Sequence, residues 1–523
     1  MAGLLRRDAA RDPDSVPWPM AGLLRRDAAR DPDSVPWPMA GLLRRLLAST
    51  FAYQAPSILS SLLALITLPL YTGHLSTADY GYAENLLTAI IFTSILLRFG
   101  IGEAFVRFWF DDEDHARRLD LARTVTAWTL YASTAFCLVA LVFAAPLSRL
   151  ILVDENVGLM RIGIFGLWAF TNLEVANALL RVEERLKTYV IAAVANILLT
   201  VTLTVTLVVI RDDGANGYVF GNYGASTVIL IALWIVMRDR VSFRPPRRTV
   251  ALLRFGGPTV PADAAAFALN VLDRTYLIHA QSPDAAGRYG FAAKLSTVVI
   301  VAVRGFQAAW PPLAYSVTDE AQAARLYARV TTLYVAVTGT VVCGVLLVGR
   351  WAVRALASDP SYYGASAALP WVALGWALYG LVLVLITVAG RAKVTTRNFP
   401  ATAAGLVVNA VLLVTLVGPL GIAGAGIALC GAYVVIVATL YLLTRHLFAV
   451  PFEWARLSAA VAVFTVIGVG GELLLPTQGA TGLITRFALL LLVPPALVAA
   501  RVVTVAELKR LGELRRRGEP ATT

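Results

Sequence analysis

The sequence predicts an all-α polytopic membrane protein of about fourteen transmembrane helices, in two six-helix lobes plus two C-terminal helices. Three observations lead there. Of 523 residues 58% are apolar and 15% charged, with mean hydropathy +0.70, too little polar surface to cover a soluble protein of this size. The apolar residues are gathered into blocks almost free of charge, such as 59–70, 190–210 and 487–500, and about 20 apolar residues carry a helix across roughly 30 Å of hydrocarbon. Finally, Lys and Arg are sorted between alternate loops.

The elements follow in order. Residues 1–38 are a tandem repeat, MAGLLRRDAARDPDSVPWP twice over, and MAGLLRR begins again at Met39. This stretch is polar, rich in Pro and Asp, and lacks both a core-forming period and the apolar core of a signal peptide, so residues 1–45 are expected to be a disordered tail. Met1, Met20 and Met39 are all candidate starts. Spans are expected near 49–70, 86–102, 123–143, 157–179, 189–210 and 217–236, an N-lobe of residues 46–254. A C-lobe of residues 255–445 holds spans near 255–279, 291–314, 327–349, 365–389, 400–417 and 421–443. Residues 446–523 hold spans near 456–475 and 484–504 and a basic tail.

Loops on the side of the N-terminus carry Arg107, Arg117, Arg118 and Arg123, then Arg181, Arg185 and Lys187, then Arg238, Arg240, Arg244, Arg247, Arg248 and Arg254, then Arg391, Lys393 and Arg397. The tail adds Arg501, Lys509, Arg510 and Arg515–Arg517. Opposite loops carry one or two each, such as Arg149, Arg211 and Arg288. The positive-inside rule then puts both termini in the cytoplasm and the chain in the cytoplasmic membrane, in contact with anionic lipid. A net charge of +12 spread this way does not suit nucleic acid, which calls for a basic patch on a polar domain.

An internal repeat relates the lobes. Tyr80-Gly81-Tyr82-Ala83 resembles Tyr289-Gly290-Phe291-Ala292, and Asn196–Leu203 resembles Asn409–Leu416, at offsets of 209 and 213. Six spans per unit give both copies one orientation, related by an axis along the membrane normal.

Ordered motifs resemble a known family. They are Leu68-Pro69-Leu70-Tyr71-Thr72, Leu75-Ser76 and Asp79-Tyr80-Gly81 in the first lobe. The second contains Phe255-Gly256-Gly257-Pro258, Pro261, Leu272-Asp273-Arg274, Gly287-Arg288-Tyr289-Gly290, Ala293-Lys294-Leu295, Ala309-Trp310-Pro311-Pro312 and Gly421–Ala428. Over residues 46–445 the chain resembles the Wzx-type O-antigen and capsule flippases of the multidrug/oligosaccharidyl-lipid/polysaccharide exporter superfamily. The resemblance implies paired lobes that open alternately to either side and move polyprenyl-diphosphate-linked oligosaccharide outward. Glycosyltransferases and a glycan polymerase of the same pathway would be its partners.

No catalytic or cofactor constellation is visible. Cys137, Cys343 and Cys430 lie in apolar blocks, where a thiol serves as a small hydrophobe. His74, His115, His279 and His446 have no Cys or carboxylate at metal spacing, and the Gly-rich segments lack the Lys-Ser/Thr of a phosphate loop. The informative residues are charges inside apolar blocks: Arg98, Arg274, Lys294 and Arg304 against Glu174, Asp263 and Asp273. Each costs about 2.5–3.5 kcal/mol at mid-bilayer, so each should face protein or a wet cavity. Asp263, Asn270 and Arg274 fall on one helical stripe, while Asp273 and Arg274 diverge by about 100°. One expectation is mutual pairing, Asp273 with a basic residue of the eighth span. The other is a substrate cavity with a small positive excess, suited to a diphosphate. Trp310 and Tyr315 are expected at the membrane interface, and Asn177, Asn196 and Asn409 as hydrogen-bonding links between helices.

Lipid-linked oligosaccharide translocation is therefore the expected activity, without catalysis. A peptidoglycan-precursor flippase would use a similar cavity, whereas a multidrug/cation antiporter calls for acidic residues there. A membrane glycosyltransferase needs a catalytic carboxylate and a large loop, and the loops here reach only about 20 residues.

Overall fold

The computed structural model describes residues 38–111, 114–246, 249–269, 271–317, 319–392 and 394–504. Residues 1–37, Arg247, Arg248, Asn270, Lys393 and the tail basic residues beyond Arg501 lie outside the described residues, whereas residues 38–45, expected in the disordered tail, are helical. Among the described residues the chain is helical throughout, as a bilayer requires: backbone N–H and C=O groups find no water there and must be paired within the segment.

Thirteen described helices are long and apolar enough to cross a membrane. The first lobe contains α1 (Pro38–Thr72), α2 (Thr77–Arg98), α3 (Ile101–Asp111), α4 (His115–Val142), α5 (Ala144–Leu152), α6 (Val157–Val182), α7 (Leu186–Val205, extended by a π turn to Ile210) and α8 (Gly214–Val236). The expected seventh span is broken into α9 (Thr249–Gly256), a 3-10 turn (Gly257–Thr259), α10 (Val260–Ala268) and α11 (Leu272–Ala280). The eighth is also in two pieces, α12 (Pro283–Leu295) and α13 (Thr297–Ser316). Five further spans are continuous: α14 (Glu320–Leu356), α15 (Leu369–Arg391), α16 (Asn398–Leu420), α17 (Ile422–Thr444) and α18 (Trp454–Leu474). The last crosses as α19 (Gly479–Leu491) and α20 (Val493–Ala499).

The broken seventh span corrects one expectation. Asp263 is on α10 and Arg274 on α11, with an interruption between them, so they share no continuous stripe. Trp310 is another correction. It is 1% exposed, stacked on Phe306 and set edge-on to Tyr327, and so is a core residue of the second lobe.

The lobes meet through their first two spans and through α3, which packs on α9. α1 packs along α13, while α2 packs on α10, α11 and especially α12. One end of the bundle carries the arginine-rich loops; the other, the arginine-poor end, carries the turns near residues 73–76, 281–282 and 357–368. At the arginine-poor end Gly81 lies against the Pro283 carbonyl and the Gly287 amide, and Gly287 lies against the Thr77 carbonyl. Thr77 donates to Asp284, and the Tyr362 hydroxyl donates to the Leu75 (3.0 Å) and Ser76 (3.1 Å) carbonyls. The two copies of the Tyr-Gly repeat, on α2 and α12, are thus partners across the lobe interface.

The C-terminal pair is fastened to α14 at both ends. At one, Glu453 accepts from Arg329 (2.9 Å) and Thr332 (2.7 Å). At the other, Glu472 binds Arg350 and Arg486.

Candidate functional site

The site begins with the start of α2. Ser76 caps it: its hydroxyl accepts from the Asp79 N–H (3.0 Å) and donates to the Asp79 carboxylate (2.7 Å). The capped helix therefore begins nine residues before the expected span, and Glu84 falls inside it. Gly81, one turn earlier, admits the backbone of α12 so closely that Glu84 faces charges of the second lobe.

Glu84 is 3% exposed. Its Oε2 accepts from Arg274 Nη1 (3.2 Å), and its Oε1 lies 3.2 Å from Lys294 Nζ and accepts from the Tyr218 hydroxyl at 3.2 Å. Arg274 Nη1 also reaches Thr88 (3.2 Å), while Thr275 donates to Asn85 (3.0 Å). One carboxylate of the first lobe thus holds two cations of the second. Among the described residues, Arg274 Nε and Nη2 have no hydrogen-bond partner. The side chains of Arg274 and Lys294 are 20% and 31% exposed, against 4% for Glu84. The cations stand between the carboxylate and open space, with donors to spare.

The other predicted residues are placed elsewhere. Asp273, 1% exposed, accepts from the Tyr289 hydroxyl (2.6 Å) and pairs with no basic residue of the eighth span, contrary to expectation. Its Oδ1 lies beside the amide of the fully buried Asn409 of α16. Arg98 reaches Glu174 at 3.8 Å, and Asp263, exposed on α10, lies within electrostatic range of Arg98 and Glu103 toward the arginine-rich end. Arg304 is exposed on α13, its charge near Tyr379 of α15. Counting Glu84 brings the acidic groups to four against four basic ones, so the expected positive excess disappears. The local pattern replaces it: two cations to one carboxylate at the lobe interface, with Asp273 sealed behind Tyr289. An apolar groove of about 510 Å³ lies between α14, α15, α17 and α18, lined by residues such as Leu346, Leu378, Tyr441 and Phe464, and none of the predicted site residues lines it.

Two lobes of apolar spans meeting at an ionic interface are the architecture of a polytopic membrane protein. The chain belongs to the polysaccharide biosynthesis protein family, whose model matches residues 46–314. No curated protein matches it by sequence. Among solved structures it is similar to the lipid II flippase MurJ in an inward closed conformation, with TM-score 0.69 and 12% identity over 86% of this chain and 98% of that one. It is also similar to an inward-facing multidrug resistance MATE transporter of the MOP superfamily (TM-score 0.55, 17% identity, 77% and 94% covered). The Vibrio cholerae MATE transporter VcmN in its bent form gives TM-score 0.54 and 16% identity, with 78% and 98% covered. At these identities the likeness is one of fold.

Proposed function

We propose that the protein moves polyprenyl-diphosphate-linked oligosaccharide across the cytoplasmic membrane by rocking its two lobes, with Arg274 and Lys294 receiving the diphosphate. The carrying observation is the convergence of these two cations, donors still unused, on one carboxylate between the lobes. A diphosphate leaving water needs such compensation, and the planar fork of Arg274 suits it. Membership of the polysaccharide biosynthesis family supports the glycan as cargo. Arg304, further along the eighth span than Lys294, would extend the basic track. The lobes would receive cargo from glycosyltransferases and deliver it to a polymerase of the same pathway.

A cell lacking the protein should regain surface glycan when given the full chain and fail to regain it with Arg274→Ala/Lys294→Ala. Normal export by the double variant would remove the diphosphate assignment. Both termini lie in the cytoplasm in this reading, so the arginine-poor end faces outward. A reporter after Glu519 should be cytoplasmic and one near Asn216 external; the same side for both would overturn the topology.

The likeness to a lipid II flippase over 98% of its length favours a second reading, transport of a lipid-linked peptidoglycan precursor. Rescue of cells depleted of their lipid II flippase would select it over the first.

A further inference from the structure

We propose that Glu84 is an internal stand-in for the substrate's anionic group, holding Arg274 and Lys294 until a diphosphate takes them and so releases the two lobes at the arginine-poor end. This rests on the assignment of those cations to the substrate.

The geometry supplies each part. Glu84 belongs to α2 in the first lobe, Arg274 and Lys294 to α11 and α12 in the second, so their bonds cross the interface. The carboxylate lies one helical turn inside the seal formed by Gly81, Gly287 and the Thr77–Asp284 bond. Anything that withdraws the cations from Glu84 loosens α2 from α12 next to that seal. One carboxylate neutralises only one of the two cations it holds. A diphosphate carries more charge and more acceptor oxygens than a carboxylate, and the unused Nε/Nη2 edge of Arg274 gives it a first foothold. It can dock before Glu84 leaves, then draw Lys294 and the remaining guanidinium edge away. Tyr218, donating to Glu84 from within the first lobe at 3.2 Å, keeps the released carboxylate hydrogen-bonded, so release does not strand a bare buried charge.

Substrate binding and opening are then one exchange of anions. An empty transporter stays sealed because its own glutamate occupies the cations.

A cross-lobe disulfide reads the seal. An ideal Cβ on Gly73 would lie 3.4 Å from Ser358 Cβ, near disulfide spacing, and neither residue touches the ionic cluster. In full-length protein carrying Gly73→Cys/Ser358→Cys, inorganic pyrophosphate should slow disulfide formation, while sulfate at matched ionic strength should not. Farnesyl diphosphate should act at lower concentration if the ligand is lipid-linked, and at the same concentration if it is a free phosphate. Adding Glu84→Gln should slow the reaction about tenfold without any ligand and abolish the pyrophosphate effect. Glu84→Asp keeps the charge at shorter reach. It should give an intermediate rate and a pyrophosphate response at lower concentration, which also serves if Glu84→Gln fails to fold. Parent-like rates in both Glu84 variants, with pyrophosphate still effective, would overturn the role of Glu84 and leave the substrate site standing. No pyrophosphate effect in the parent or in either variant would remove the substrate site, and this proposal with it.

Discussion

Among the described residues several carboxylates sit between two cations, and two of these clusters, at Glu472 and at Glu84, differ in what surrounds them. At Glu472 the central cation is sealed. Arg486 is fully buried, with Nε on the Pro476 carbonyl (3.0 Å), Nη2 on the Leu475 carbonyl (3.1 Å), Nη1 on the Leu347 carbonyl (3.4 Å) and Glu472, and its guanidinium over Trp351. Every nitrogen of the fork is used, and all partners belong to the second lobe or its C-terminal pair. At Glu84 the carboxylate is the sealed member, the cations are partly open, and the bonds cross between lobes. A saturated cation within one body fastens it; an unsaturated cation between two bodies can change partners. In the proposed reading, donor saturation separates the structural cluster at Glu472 from the substrate cluster at Glu84.

The largest test of that contrast is Arg486→Ala. It leaves the Leu475 and Pro476 carbonyls without their donor, and breaking a buried ion pair costs about 3–5 kcal/mol, so membrane abundance and thermal stability should collapse. Adding Glu472→Ala should not restore them, because the Leu475 and Pro476 carbonyls stay without their donor. Recovery in the double variant would reduce the cluster to its ion pair. The substrate cluster should respond the other way. Arg274→Ala or Lys294→Ala alone leaves one cation on Glu84, so abundance should stay near that of the parent while export falls about tenfold or more; loss of one charged contact of about 1.5–3 kcal/mol supports that scale. Arg274→Lys should lose part of the activity, since a point charge replaces the fork. Equal loss of abundance and export in these variants would make both clusters structural. Tyr218→Phe, which removes the hydroxyl that keeps a released Glu84 hydrogen-bonded, should lower unfolding stability by about 1 kcal/mol and export by about threefold. The smallest effect belongs to Arg149→Ala, whose exposed pair with Glu155 should be worth less than about 0.5 kcal/mol by thermal unfolding.

Hydropathy made the order of thirteen candidate spans legible, because it responds to the bilayer and not to the fold. It reports composition, not continuity. The break between α10 and α11 has no glycine or proline to announce it, only Leu269-Asn270-Val271. Arg274 and Lys294 were legible as costly charges in apolar blocks, and the divergence of Asp273 from Arg274 as helical geometry. Glu84 was hidden by placing the second span at residue 86, although the Ser76/Asp79 cap marks the true start. Its pairing with Arg274, 190 residues away, is a matter of tertiary contact that no local pattern encodes. Trp310 misled for a related reason: an aromatic near a span end reads as interfacial until its neighbours are known.

The glycine contacts across the lobes bear on which sequences this fold can drift through. At many glycines of the bundle a methyl group would meet a side chain, such as Leu86 at Gly163 or Tyr223 at Gly166, and a second substitution could make room. At Gly81, Gly100, Gly256 and Gly287 it would meet main chain: Pro283, Gly256, Gly100 and Thr77 respectively. No replacement elsewhere trims a carbonyl, so tolerance at these four positions would require whole helices to move apart. In saturation mutagenesis scored by export they should form islands without permissive partners, even in libraries where Gly163 and Gly166 acquire compensating changes.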